Sequence, residues 1–142
     1  MLVSTRGRYA LCVMIDLAEH DSGEYIVLAD IAERQGISEK YLEGILAALS
    51  KKGFVRALRG RGGGYRLARA PESYTVMSVL ELTEESLAPV DCLREERNRC
   101  VRREGCRTIA MWTELYGIIR GYLEGITISD LMRGNGGGDY VI

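Results

Sequence analysis

Residues 59–64, "RGRGGG", separate two short stretches that can form strands, 54–58 ("FVRAL") and 65–69 ("YRLAR"). Glycine weakens helix and strand interiors alike, so a run this rich in it forces the chain to turn. Two strand-capable stretches with a glycine-rich connection predict a β-hairpin. A phosphate-cradling P-loop would need Gly-Lys-Ser/Thr and then a helix, whereas Tyr65-Arg66-Leu67 follows and fits a strand. A linker would not be flanked by apolar, alternating segments.

Helices precede the hairpin. Ser4 or Thr5 can cap a first helix running to about Glu19, with Tyr9, Cys12, Val13 and Asp16–Leu17 near helical spacing on one side. "HDSGEY" reads as a turn, and "LADIAERQG" as a short helix stopped by Gly36. Ser38 is a good N-cap for a helix over about 39–52. Its residues Leu42, Ile45, Leu46 and Leu49 fall at i, i+3, i+4 and i+7 and form one buried stripe. Lys40, Glu43, Ala47 and Lys51 take the opposite face. Two helices joined by a tight glycine-containing turn make the helix-turn-helix pattern, in which the second helix reads. A hairpin straight after it is a wing. The expected fold is therefore mainly α with a small β-hairpin: a winged helix-turn-helix domain plus a long helix.

Charge agrees with a reading surface. The chain carries a net charge of -1, yet seven basic residues lie between Lys51 and Arg69 with no acid among them. A local basic patch on a nearly neutral chain suits a polyanion; alone, it would equally describe a solvated face. Glycines allow close backbone approach, and Arg59 and Arg61 can reach phosphates or a narrow minor groove.

Beyond Pro71, Thr75 caps a helix through about Glu84. Residues 86–106 are polar, charged and aperiodic, which predicts an exposed loop. In the next helix, Ile109, Trp112, Tyr116, Ile119 and Leu123 are spaced 3, 4, 3, 4. A second row, Met111, Leu115, Ile118 and Tyr122, lies beside them. Two rows exceed what a surface helix needs for its own domain, so the expectation is a homodimer formed through this helix, with Ile109, Trp112, Tyr116, Ile119 and Leu123 at its interface. Thr127–Asp130 resembles a capping box for a last short helix ending at Gly134, and "NGGGDYVI" reads as a flexible tail. The expected divisions are 1–84 for DNA binding, 85–106 for a sensor loop, 107–134 for dimerisation and a short C-terminal helix, and 135–142 for the tail.

Cys12 falls on the apolar side of the first helix and reads as a small core residue. Cys92, Cys100 and Cys106 sit in one loop. No apolar run approaches the ~20 residues that span a bilayer, and no secretory signal is recognisable, so the expected location is cytoplasmic and a structural disulfide is disfavoured. The paired Cys-x2-4-Cys spacing of zinc sites is absent. Three thiolates could hold an iron–sulfur cluster with a fourth ligand from elsewhere, act as a thiol switch, or have no special role. The surrounding arginines favour metal binding and oxidation alike. No catalytic constellation is present, so an enzyme is not expected.

"STRGRYAL", "LADIAERQGISEKYLEGIL", "VRALRGRGGGYRLAR", the three-cysteine loop and "AMW" at the start of the long helix resemble the Rrf-type family of bacterial winged-helix transcription regulators (IscR, NsrR and CymR). The resemblance covers nearly the whole chain. It implies a dimeric regulator, expected to repress, of palindromic double-stranded DNA operators. It puts Ser38, Lys40, Tyr41 and Glu43 at the major groove, Arg59, Arg61, Gly62 and Gly63 at the minor groove, and Thr5 and Arg6 near phosphates. Glu43 would accept from a cytosine amine.

The resemblance also implies that Cys92, Cys100 and Cys106 bind an iron–sulfur cluster (2Fe-2S or 4Fe-4S). The fourth ligand departs from the family pattern. Ile109 stands where IscR-like members carry a histidine, and Arg8 where NsrR-like members carry an acid. His20 reads as a surface residue; Asp91, Glu95 and Glu104 are nearby alternatives. The rival expectation is a cysteine-metabolism regulator without a cluster, controlled by thiol oxidation or by cysteine synthase gripping the C-terminal Ile142.

Overall fold

The computed structural model describes residues 3–98 and 100–133. Helix α1 (Thr5–Glu19) starts at Ser4, whose hydroxyl accepts from the Gly7 N–H, so Ser4 rather than Thr5 is the cap. Helix α2 (Leu28–Gln35) ends at Gly36 in the left-handed region, φ 65°, where a glycine is favoured. Helix α3 (Glu39–Lys51) is capped by Ser38, and its buried residues are the four of the expected stripe. Strands β1 (Val55–Leu58) and β2 (Gly64–Leu67) pair antiparallel, from Val55 opposite Leu67 to Leu58 opposite Gly64.

A 3-10 turn at Pro71–Ser73 leads into α4 (Val76–Thr83), opened by a reciprocal Thr75/Ser78 capping box. The long helix α5 (Ile109–Glu124) and the short α6 (Ile128–Leu131) complete the order. The Thr127/Asp130 capping box opens α6; the helix ends at Leu131, and Gly134 lies outside the described residues.

The main core gathers Val13, Met14 and Leu17 of α1, Ile31 of α2, the α3 stripe, Val55, Leu67, Tyr74 and Ile128. α1 runs through it, which is why the helix-turn-helix pair needs α1 to be stable. Asp16 is 2% exposed yet fully satisfied. It accepts from Arg34 Nε and Nη2 at 3.0 and 2.8 Å and from Gln35 Nε2 at 2.8 Å, fixing the end of α2 to α1. That hydrogen bond to Asp16 raises the Arg34 pKa above its ordinary value.

Cys12 corrects the expectation of a core residue: it is exposed. The buried stripe of α1 runs through Ala10, Val13, Met14 and Leu17, and a residue two places after Ala10 points to the far side of a 3.6-residue helix. A second, smaller core joins Val76, Met77, Leu80, Leu87 and Ile126, with Val3, Leu11, Tyr116 and Leu123 packed on it. The chain closes back here: Val76 N–H donates to the Ile126 carbonyl at 2.8 Å and Ile128 N–H to the Tyr74 carbonyl at 2.9 Å.

No helix among the described residues is long and apolar enough to cross a membrane.

Candidate functional site

The exposed face of α3 carries Lys40, Glu43, Gly44, Ala47 and Lys51. Lys40 to Lys51 spans about 16 Å at ~1.5 Å per residue. Gly44 and Ala47 leave the middle of this face low, and beyond the Gly44 backbone there is open space. A bare helix surface between charged ends can enter a groove closely. Sequence reading named Lys40 and Glu43 but passed over Gly44, because a glycine inside a helix usually reads as a cost.

One end of the face meets the start of α1. Arg6, Ser38, Lys40, Tyr41 and Gly44 line a common hollow, and Arg6 Nη2 donates to the Gly44 carbonyl at 3.4 Å. The Ser38 hydroxyl accepts from Tyr41 N–H at 3.2 Å. The Tyr41 ring stands edge-on to Tyr9, centroids 5.9 Å apart, and that contact holds its phenol end on the surface. Thr5 is exposed beside them.

The other end meets the hairpin. Ser50 and Lys51 of α3 share a groove with Leu58, Arg59, Gly63 and Gly64. The tip turns through Gly60 and Gly62, at φ 90° and 73°, and Gly63 N–H closes it on the Gly60 carbonyl at 3.0 Å.

The seven basic residues of the acid-free run divide by role. Arg66 Nη1 donates to the Gly23 carbonyl at 2.7 Å, and its guanidinium lies over Tyr25. The Arg69 guanidinium lies 4.8 Å from the Tyr74 ring centre and 5.5 Å from that of Phe54. These two brace the hairpin. Lys51, Lys52, Arg56, Arg59 and Arg61 are exposed, and among the described residues none makes an ion pair or a side-chain hydrogen bond. Of these five, Lys51 and Arg59 line the groove at the end of the low helix face, and their charge suits a polyanion.

The loop between α4 and α5 carries 3-10 turns at Asp91–Leu93 and Arg103–Gly105. Cys92 and Cys100 line an open hollow of about 700 Å³ together with Glu85, Asp91, Arg94, Glu95 and Arg97. Cys106 is not part of that lining. Its Sγ lies 3.6 Å from the Thr108 hydroxyl, and hydrogen bonds from Thr108, side chain first and then backbone, lower its thiol pKa. All three cysteines are half-buried. Among the described residues no three His, Cys, Asp or Glu side chains converge as metal ligands would. Three soft thiols suit an iron–sulfur cluster in kind; the described arrangement brings two of them to one hollow and leaves the third apart.

On α5, Ile109, Trp112, Tyr116, Ile119 and Leu123 are half-buried, with Tyr116 and Leu123 against the second core. The exposed row is the neighbouring one: Met111, Leu115, Ile118 and Tyr122 are 52, 38, 62 and 61% exposed. Ile142 lies outside the described residues, and with it the expected grip of cysteine synthase.

The family model described as "Rrf2: Iron-dependent Transcriptional regulator" matches residues 3–134. The chain belongs to the Rrf2 family. It is 39% identical over 135 residues to the HTH-type transcriptional regulator IscR of Aliivibrio salmonicida, covering 95% of this chain and 79% of that one. The structure of CymR, the global cysteine regulator of B. subtilis, matches 100% of this chain and 99% of its own at a TM-score of 0.75 and 27% identity. That of T. potens IscR matches 99% and 89% at a TM-score of 0.70 and 32% identity. The chain is thus a winged-helix transcriptional regulator of the Rrf2, IscR and CymR type, and not an enzyme.

Proposed function

We propose that this Rrf2-family regulator binds duplex DNA as a homodimer on a palindromic operator, represses transcription there, and senses through its three-cysteine loop. The observation that carries the reading is the continuity of the α3 face. It runs from the Arg6 and Tyr41 hollow at one end to the groove that Lys51 and Arg59 line at the other, two cations with no ion pair among the described residues. Ser38, Lys40, Tyr41 and Glu43 meet base edges in the major groove, Glu43 accepting from a cytosine amine. Arg59 and Arg61 enter the minor groove next to it, where Gly62 and Gly63 let the backbone come close. Thr5 and Arg6 hold phosphates.

Arg59→Ala tests this. Binding to a duplex enriched from a random library by the wild-type chain should weaken, and the slope of log K against log salt should fall by about 1. Unchanged affinity and slope would take the wing out of the interface.

For sensing, Cys92, Cys100 and Cys106 would supply thiolates to an iron–sulfur cluster, in keeping with the iron-dependent description of the family. When bound, such a cluster supplies a one-electron couple that oxidants can reach. Iron, acid-labile sulfide and visible absorbance should be present in anaerobically purified wild type and lost in Cys100→Ala. Protein that stays colourless and iron-free after anaerobic reconstitution would shift sensing to oxidation of the thiols themselves.

A further inference from the structure

Three parts of the chain meet at one point: the start of α1, the end of α4 and the root of the cysteine loop. Glu84 is the residue that caps the C-terminus of α4. Its Oε1 accepts from the Ser4 backbone N–H at 2.9 Å and from the Ser4 hydroxyl at 2.7 Å, across 80 residues of sequence. The same hydroxyl accepts from Gly7 N–H at 3.0 Å as the cap of α1. The carboxylate therefore sits at the positive end of α1 and orients the group that closes its first turn. Gly7 is buried, and a methyl group there would run into Glu84 Oε1. A residue without a side chain stands where the carboxylate needs room.

The next residues belong to the loop. Glu85 pairs with Arg94 Nη2 at 3.0 Å, and both line the hollow that holds Cys92 and Cys100. Leu87 is buried in the second core, and Val3, the neighbour of Ser4, packs on that same core. Beyond Ser4, α1 leads straight to the reading helix. Arg6 reaches the Gly44 carbonyl and Tyr9 meets Tyr41.

We propose that Glu84 is a positioning residue that links the state of the cysteine loop to the DNA-contacting start of α1. The inference rests on the proposed reading that Thr5 and Arg6 meet phosphates and that the loop senses. A loop that rearranges moves residues 85–87 and draws Glu84 with them. Ser4 then loses its acceptor, the first turn of α1 loosens, and Arg6 and Tyr9 no longer hold α3 at its groove. The two arrangements differ in DNA affinity because only one presents α1 and α3 together.

The test uses the full chain with Cys12→Ser, so that N-ethylmaleimide marks only the three loop thiols. The probe is the duplex enriched by the wild-type chain, with Kd read by fluorescence anisotropy. Alkylation should change Kd by about five-fold or more when Glu84 is present. The change should fall below about two-fold in Glu84→Ala, which removes the acceptor of both Ser4 donors, and in Ser4→Ala, which removes the hydroxyl that joins Glu84 to the Gly7 N–H. Before alkylation, the losses from Glu84→Ala and Arg6→Ala should overlap, while those from Glu84→Ala and Arg59→Ala should add, because the wing lies outside this path.

An undiminished alkylation response in both variants overturns the link and leaves the regulator reading standing. No response in any chain removes the sensing reading and the link together. Urea midpoints report whether each variant folds, and Ser4→Ala carries the comparison if Glu84→Ala does not.

Discussion

Cys106 and Thr108 show how one hydroxyl sets the chemistry of a loop thiol. A thiol becomes a better nucleophile and metal ligand as its thiolate is stabilised. Thr108 donates to that thiolate through its side chain and its backbone, so the Cys106 pKa lies below the ordinary thiol value. Thr108→Val removes the first of these donors and should move the pKa back up. In a chain whose only cysteine is Cys106, the rise in alkylation rate by iodoacetamide should then come at higher pH than with Thr108 in place, and at a fixed neutral pH Thr108→Val should react more slowly. An unshifted profile would mean that the backbone donors alone hold the thiolate. The same proton bears on the proposed cluster, since a thiol must lose its proton before it can bind iron.

At the scale of elements, the hairpin is less independent than a wing drawn from sequence. β2 pairs with β1 on one side and with the segment before α2 on the other. Ile26 N–H donates to the Tyr65 carbonyl at 2.8 Å and Tyr65 N–H to that of Ile26 at 2.9 Å. This puts Gly64 in a tight place. It adopts φ 152°, open to glycine alone, and a methyl group there would meet the Ile26 carbonyl. Gly64→Ala should cost about 2 kcal/mol, read from urea unfolding, and speed amide exchange at Ile26 and Tyr65 before the rest of the core. Equal exchange at both amides would show that the clamp survives.

The helices, the α3 stripe, the hairpin and both threonine caps were legible because each rests on local periodicity or a turn signal. The Ile26 bridge was not, since one residue of pairing leaves no pattern in "HDSGEYI". Cys12 was misplaced because its helix has apolar residues almost all round, so the pattern alone does not choose a side. For the same reason the two rows of α5 were visible but their roles were not: the half-buried row includes Tyr116 and Leu123, which the second core claims.

For the whole molecule, that division of α5 decides how a dimer can be tested. Substituting Tyr116 or Leu123 would damage the second core of a single chain and confuse misfolding with dissociation. Met111, Leu115, Ile118 and Tyr122 belong to neither core, and they form an apolar strip along about three turns of helix. Gly117 and Gly121, each with open space beyond its backbone, lie next to this strip and would let a second α5 approach closely. A winged helix that reads a palindrome needs two copies at a fixed spacing. In the proposed dimer their separation would be set by this strip and not by the DNA-binding face.

Ile118→Asp places a charge at the middle of the strip, where a single chain keeps it in water and a dimer would bury it unpaired. Sedimentation velocity at micromolar concentration should give a dimer for wild type and a monomer for Ile118→Asp, with the helical circular dichroism unchanged. Affinity for the full two-half-site duplex should fall by about 100-fold or more, while affinity for one half-site should change little, because the linked second contact is lost and the reading face is not. A dimeric Ile118→Asp would move the interface off this strip. A monomer that still binds the full site tightly would separate operator recognition from dimerisation.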